Sequence, residues 1–268
     1  MTKTSNILVI DDEQVVIDAV KKICSLDNYS VDVAMSVSQA LEKISNNNYE
    51  IIISDIMLPD GDGFQILDEI RNKNIDSATI MMTGFSTVEN AVNSLYKGAI
   101  DFIPKPFTVD ELLNSVFRAN KFRKIIAKLN QIPVQKKSSE ILYVNCPAKY
   151  FRLGYSSWMF RERDGSVLMG VCDLFLKTID TVKEIEFSEA ESEIVQGISC
   201  STIISSDDRA HKILSPVSGR IVEVNNNLKA NCSLIEKDPY FEGWMYRVIP
   251  VDIGYEQKLL IPCSSDRL

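Results

Sequence analysis

Histidine is nearly absent: the 268-residue chain contains one, His211. Its six cysteines, Cys24, Cys146, Cys172, Cys200, Cys232 and Cys263, include no CxxC spacing. Zinc ligation and a disulfide framework both need clustered or paired ligands, so neither is expected. Nowhere does an apolar run approach the ~18 residues that a membrane span requires, and the N-terminus lacks the order of a signal peptide. A reduced, cytoplasmic protein is the expectation. Positive charge is short as well, since 29 Lys and Arg face 37 Asp and Glu, leaving a net charge of -8. General nucleic-acid binding is not expected, because affinity for a phosphate backbone comes from clustered Lys and Arg. The basic residues cluster once, at Lys121, Arg123, Lys124, Lys128, Lys136 and Lys137. This stretch reads as a solvated helix end and linker, with Pro133 breaking the helix. The irregular spacing of Leu112, Val116, Phe122, Ile126 and Leu129 offers an alternative, a short coil that would form a homodimer.

What the first half does contain is an alternation of short apolar runs and helical patterns. The runs are Ile7 to Ile10, Val31 to Ala34, Ile51 to Ser54, Ala78 to Met82 and Ile100 to Ile103. Patterns such as Val15-Val16-Ala19-Val20-Ile23 and Ala40-Leu41-Ile44 lie between them, a βα repeat that implies a parallel sheet covered on both faces. Four of these runs empty into a polar residue that can do chemistry: VIDDE at Val9 to Glu13, Asp55 in IIISDIMLPDGDG, Thr83 in IMMTGFS and Lys105 in DFIPKPF. In an open parallel sheet the C-terminal strand edge is where ligand sites form, so the four ends are expected to converge.

The residue types then suggest a reaction. Asp11, Asp12 and Asp55 crowd three negative charges together, which a hard cation must offset. An incomplete set of carboxylates that leaves room for water and a phosphoryl oxygen suits Mg²⁺. A carboxylate oxygen of Asp55 is the candidate nucleophile, Lys105 a point charge for phosphoryl oxygens and Thr83 a hydroxyl donor to one of them. The product is an aspartyl phosphate on Asp55.

Residues 5 to about 122 resemble the receiver domain of two-component response regulators. The resemblance implies that Asp11 and Asp12 are the acid pair, Asp55 the phosphoacceptor, Thr83 and Phe102 the switch residues and Lys105 the family's lysine. It also implies that the backbone carbonyl of Met57 completes the metal site, that the Lys105-Pro106 peptide is cis, and that the phosphoryl donor is a sensor histidine kinase. Beside the phosphoryl group, Met57 and Phe85 offer nothing to orient an attacking water, so a long-lived phosphate is expected.

The texture changes near Ile141. Tyr155 to Arg161, Ser166 to Cys172 and Thr181 to Phe187 read as strands, with a turn at Arg163-Asp164-Gly165. Further on come the proline-glycine turn Pro216 to Gly219, the helix-like Asn226 to Ile235, Lys237-Asp238-Pro239-Tyr240 and the Gly243-Trp244 step. With Trp158 and GVCDLFLKTIDTVKEIEF upstream, residues 145 to 252 resemble the H protein of the glycine cleavage system, a small β-sandwich of the biotinyl/lipoyl type. Aligned back from Ser215, the position of the family's lipoyl lysine is held by Asp208, which cannot form the lipoyl amide. Lys212 is four residues out of register and is not expected to replace it. His211, beside this tip, is read as an exposed loop histidine, and Trp158 and Trp244 as packing residues.

The expected architecture is thus α/β plus β: a doubly wound, five-stranded parallel sheet over 1–122, a helical extension and linker over 123–140, an H-protein-like β domain over 141–256 and a tail over 257–268. The expected function is that of a response regulator with Mg²⁺ as cofactor, without enzyme activity beyond its own phosphorylation and dephosphorylation. Its output is expected to be a protein interaction made by the non-lipoylated domain with a partner the sequence does not identify. A lipoyl-type carrier under receiver control and a transcriptional regulator are the alternatives.

Overall fold

The computed structural model describes residues 6–84, 87–132 and 142–267. Phe85, and the linker expectations that rest on Pro133, Lys136, Lys137 and Ile141, fall outside the described residues. The chain forms two compact units, Met1–Thr87 with Lys97–Gln135, and Val88–Tyr96 with Lys136–Leu268.

In chain order the first part runs β1 (Asn6–Ile10), α1 (Gln14–Leu26), β2 (Ser30–Ala34), α2 (Val37–Asn46), β3 (Ile51–Asp55), β4 (Met57–Leu58), β5 (Gly61–Asp62), α3 (Phe64–Asn72), β6 (Ala78–Thr83), α4 (Val88–Tyr96), β7 (Asp101–Pro104) and α5 (Val109–Gln131). The five long strands form one parallel sheet in the order β2-β1-β3-β6-β7. Alternate residues of a strand face opposite sides, and each side has its own helical cover. Ile7, Val9, Ile51, Ile53, Ile80 and Met82 pack with Ile17 and Val20 of α1 and with Leu112, Val116 and Ala119 of α5. Leu8, Ile10 and Ile52 pack with Val37, Ala40 and Ile44 of α2 and with Ile66 and Ile70 of α3. Burial on both faces is why these strands read as continuous apolar runs.

Helix α5 begins at a capping box in which Thr108 accepts from the Glu111 amide and Glu111 reaches back to the Thr108 amide. It continues to Gln131. Leu112 and Val116 are fully buried in the first unit's core, so a dimer seam cannot run through them, which corrects the coil alternative at its N-terminal end.

The second part runs β8 (Phe151–Leu153), β9 (Ser157–Arg161), β10 (Val167–Val171), α6 (Asp173–Leu176), β11 (Val182–Phe187), β12 (Glu193–Ile194), β13 (Ser199–Ser205), β14 (Ala210–Leu214), β15 (Gly219–Val224), α7 (Asn226–Ala230), α8 (Leu234–Lys237), β16 (Trp244–Pro250), α9 (Ile253–Glu256) and β17 (Ile261–Pro262). A seven-stranded sheet, β12-β15-β16-β10-β9-β8-β17, and a three-stranded sheet, β11-β13-β14, enclose a common core. Met159, Val167, Met169, Ile221 and Val248 of the larger sheet meet Val182, Ile185, Ile203 and Ile213 of the smaller one there. On the opposite face of the larger sheet Trp158 is fully buried with Tyr150, Cys172 and Tyr240. Its indole N–H donates to the carbonyls of Val171 and Pro239, both at 3.1 Å. The helix-like segment Asn226 to Ile235 is two short helices, α7 and α8, broken at residues 231–233. Asn231 ends the first, and its side chain accepts from the amide of Ser233 at 3.2 Å.

Helix α4 lies between β6 and β7 in the sequence but belongs to the second unit. Its fully buried Val92 and Leu95 join that unit's core.

Candidate functional site

Parallel register assembles the site. Ile10 pairs with Ser54, Asp55 with Met82, and Thr83 with Pro104. Asp11, Asp55, Thr83 and Lys105 therefore stand at adjacent strand ends, as the four apolar runs imply. Asp11 and Asp55 are buried and Asp12 is exposed. Each of the three offers a carboxylate oxygen, and those oxygens lie within 4.8 Å of one another.

Lys105 projects into this cluster. Its Nζ is 2.6 Å from Oδ2 of Asp55, 2.7 Å from Oδ2 of Asp11 and 3.4 Å from Oε1 of Glu13. Burial pulls the lysine toward neutrality, but its hydrogen bonds and charge pairs with Asp11 and Asp55 outweigh that and hold its pKa above the ordinary value. For Asp11 burial dominates and pushes the carboxyl up, against the hydrogen bonds from Lys105 and from the Glu13 amide.

Backbone amides fix the carboxylate rotamers. The Glu13 amide donates to Oδ1 of Asp11 at 3.0 Å, and the Met57 amide to Oδ1 of Asp55 at 3.1 Å. The Lys105 amide donates to the Thr83 carbonyl at 2.8 Å, tying two strand ends together. Thr83 is fully buried. Phe102 is half-buried beside Ile56, Leu67, Met81 and Ala99. The Lys105-Pro106 peptide is cis.

The sequence pattern left Asp60 and Gly63 without a role, and the structure supplies one for each. A Cβ at Gly63 would lie 1.9 Å from the carbonyl oxygen of Asp55, so only glycine allows this close return. The Gly63 amide donates to the Ile56 carbonyl at 2.8 Å. Asp60 clamps the same loop onto the start of α2, accepting from the amides of Val37 and Ser38 at 2.7 and 2.9 Å. The signal for both lay in the run PDGDG, Pro59 to Gly63, whose turn residues repeat.

Hard oxygen donors of net negative charge suit Mg²⁺ and are a poor set for softer metals. Asp11, Asp12 and Asp55 would hold the ion, and the Met57 carbonyl is the fourth candidate ligand. Such an ion screens phosphoryl oxygens electrostatically.

In the second unit, Asp208 sits in the loop between β13 and β14 with φ of 61°. Its carboxylate pairs with Lys183 at 2.5 Å. Lys212 lies inside β14, opposite Thr202, and not in the loop. His211 is not an exposed loop residue: it lies in β14 opposite Ile203 and is fully buried. The period of two decides this, since β14 alternates exposed and buried positions and turns His211 and Ile213 inward. The Nε2 of His211 is 3.0 Å from Oγ of Ser205.

A five-stranded parallel α/β sheet with carboxylates and a lysine at its strand ends is the architecture of a receiver domain, and a β-sandwich follows it. Residues 7–117 match the response regulator receiver domain family, and residues 149–264 match the glycine cleavage H-protein family. The chain thus carries a receiver domain followed by an H-protein domain. It is 34% identical over 143 residues to the transcriptional regulatory protein DltR of Streptococcus agalactiae serotype III (strain NEM316), an alignment covering 50% of this chain and 64% of DltR. The chain accordingly spans less than two thirds of that relative. Among solved structures, a CheY-like receiver domain protein from Methanospirillum hungatei JF-1 is 30% identical, with a TM-score of 0.44 over 46% of this chain and 98% of that one. A glycine cleavage system H protein from Mycobacterium marinum is 25% identical, with a TM-score of 0.37 over 40% of this chain and 87% of that one. Among the described residues, no helix is long and apolar enough to cross a membrane.

Proposed function

We propose that the protein is a two-component response regulator whose output is a protein interaction of the H-like domain, controlled by phosphorylation of Asp55. The observation that carries the reading is the convergence of Asp11, Asp12, Asp55 and Lys105 in one partly buried cluster. A carboxylate oxygen of Asp55 attacks the phosphorus of a phosphohistidine on a sensor kinase. The new O–P bond forms as the N–P bond breaks, and the departing imidazole takes up a proton. Lys105 is placed to shift its ammonium from the Asp55 carboxylate to the phosphoryl oxygens, and the Met57 amide holds the carboxylate for attack. Thr83 then turns its hydroxyl to the phosphoryl group, vacating space that Phe102 enters. This biases a two-state receiver.

Asp208 in the loop between β13 and β14, with Lys212 held inside a strand, favours a binding role for the H-like domain over carriage of a lipoyl arm. A transcriptional output is disfavoured by helix length. Among the described residues after 142 the longest α-helix is α7, of 5 residues, too short for a base-reading helix in a major groove.

The test is capture from source-cell lysate by the immobilised full chain with Mg²⁺ and beryllofluoride, beside an Asp55→Asn control. A partner retained by the activated chain and not by the control is the expected result. Identical captures would overturn the control of output by phosphorylation.

A further inference from the structure

We propose that Asp60 is a specificity-determining residue of this protein: by pinning the hairpin that carries Met57, it makes the cation site prefer Mg²⁺ over the larger Ca²⁺. The inference rests on the reading of Asp11, Asp12, Asp55 and the Met57 carbonyl as that site, and it adds the residue that sets their spacing.

The chain after the phosphoacceptor folds into a small hairpin. Met57 pairs with Asp62 and Leu58 with Gly61, leaving Pro59 and Asp60 at the tip. A two-stranded hairpin is marginally stable by itself, so one this short needs support from outside. Asp60 provides it with both carboxylate oxygens. Its Oδ1 accepts from the Val37 amide at 2.7 Å, and its Oδ2 accepts from the Ser38 amide at 2.9 Å and the Ser38 hydroxyl at 2.6 Å. These are the first two amides of α2. The amide of Gln39, next in the turn, donates to the N-cap hydroxyl of Ser36 at 3.2 Å. The first turn of α2 is thus satisfied by one local side chain and one distant one, and the distant one is the hairpin tip. An ionised acceptor makes these bonds stronger than neutral ones, and the helix dipole favours a carboxylate at this end.

The junction that receives Asp60 also braces the other side of the site. The Asp11 amide donates to the carbonyl of Ala34 at 3.1 Å. Ala34 ends β2, and Val37 begins α2 three residues later. Asp11 on one side and the Met57 hairpin on the other are therefore tied to one short stretch, residues 34–38. Gly61 lets the hairpin lie close against it, since a Cβ there would stand 2.8 Å from Nε2 of Gln65 and 3.3 Å from Cγ2 of Val37.

A site braced from both sides does not widen freely. Mg²⁺ takes oxygen ligands at about 2.0–2.1 Å in a near-ideal octahedron, whereas Ca²⁺ takes them at about 2.3–2.6 Å in flexible shells. Releasing the hairpin therefore deprives the smaller ion of its geometry and leaves the larger one able to adapt.

The experiment titrates the full chain with magnesium chloride and, separately, with calcium chloride. Binding is read from the backbone amide resonances of Glu13 and Met57, which donate to the Asp11 and Asp55 carboxylates. The parent chain should bind Mg²⁺ more tightly than Ca²⁺, and the reverse order would overturn the inference. Asp60→Ala should raise the Mg²⁺ dissociation constant by about tenfold or more, the scale on which a partner behind a metal ligand acts. It should raise the Ca²⁺ constant by about threefold or less, because the larger ion tolerates a looser shell. The ratio of the two constants is the readout, since lost charge or partial unfolding weakens both divalent ions alike. A parent-like ratio in Asp60→Ala overturns the inference and leaves the cation site standing. No saturable shift at either amide of the parent chain overturns the site reading and the inference with it. Ser38→Ala keeps the Asp60 charge and removes one of its hydrogen bonds, so it should move the ratio in the same direction by a smaller factor. If Asp60→Ala does not melt cooperatively, Ser38→Ala decides, and a parent-like ratio there overturns the inference.

Discussion

Lys105 holds its ammonium 2.6 Å from Oδ2 of Asp55 and is thereby the positive member of a buried cluster that includes Asp11. Its side chain is 9% exposed and that of Asp55 6%. Truncating one partner of such a pair leaves uncompensated buried charge, at a cost of roughly 3–5 kcal/mol when burial is complete. Lys105→Ala should lower the thermal midpoint in the absence of divalent cation, and Mg²⁺ should restore more of it than in the parent chain. Calorimetry with and without Mg²⁺ checks this. An equal gain from Mg²⁺ in both chains would contradict it.

The return of the loop at Gly63 makes a second prediction. A methyl group there collides with the Asp55 carbonyl oxygen, 1.9 Å from the required Cβ position, so the backbone carrying the acceptor must shift. Gly63→Ala is expected to slow phosphorylation by acetyl phosphate by about tenfold or more, the scale on which misplacement of a reacting group acts. Rates from intact mass against time give the comparison, and a parent-like rate would show that the loop does not position Asp55.

Met57 follows the acceptor by two residues and is 55% exposed. A thioether neither donates strongly to water nor accepts its proton, so hydrolysis of the aspartyl phosphate should be slow. Met57→Asn offers an amide that can orient the attacking water and should speed decay several-fold. Dephosphorylation after removal of the donor measures it, and an unchanged or slower decay would count against the account.

Thr83→Ala should leave phosphorylation of Asp55 possible and remove the response. In the parent chain the resonances around Phe102 should move on beryllofluoride binding, whereas in Thr83→Ala they should stay near the resting pattern. A parent-like shift pattern in Thr83→Ala would show that the hydroxyl is not the switch.

The six cysteines should divide sharply in reactivity. Cys24 is pushed up to about 12 by burial and, less so, by the charge of Asp27, and Cys200 to about 12 by burial. Cys146, Cys172 and Cys263 are buried too, and Cys232 alone is part-exposed. The thiolate is the reactive form, so the folded chain at neutral pH should react with a disulfide reagent at one thiol per chain, removed by Cys232→Ser. Two or more fast thiols would mean that one of the three hydrophobic clusters holding the buried cysteines opens.

Much of the first unit was legible because four of the five long strands end at or beside a candidate site residue and both sheet faces are buried, which leaves apolar runs with abrupt polar stops. Asp11, Asp55, Thr83 and Lys105 needed no long-range information beyond parallel register. The role of Gly63 was harder to read, since it depends on a carbonyl eight residues earlier in the chain. His211 was misplaced because its loop-like neighbours, Asp207 to Arg209, masked a strand whose alternation starts one residue earlier. The affiliation of α4 was not legible at all: an apolar helical stripe states that it is covered, and only the folded chain identifies Gly154 and Gly197 beneath it.

The most direct test of the central claim is whether Asp55 carries the phosphoryl group. The full chain and Asp55→Asn would be incubated with acetyl phosphate and Mg²⁺, and their intact masses read before and after hydroxylamine, which cleaves acyl phosphates. The account predicts one phosphoryl group on the parent chain, lost with hydroxylamine, and none on Asp55→Asn. No gain on the parent, or an equal gain on both chains, would contradict it.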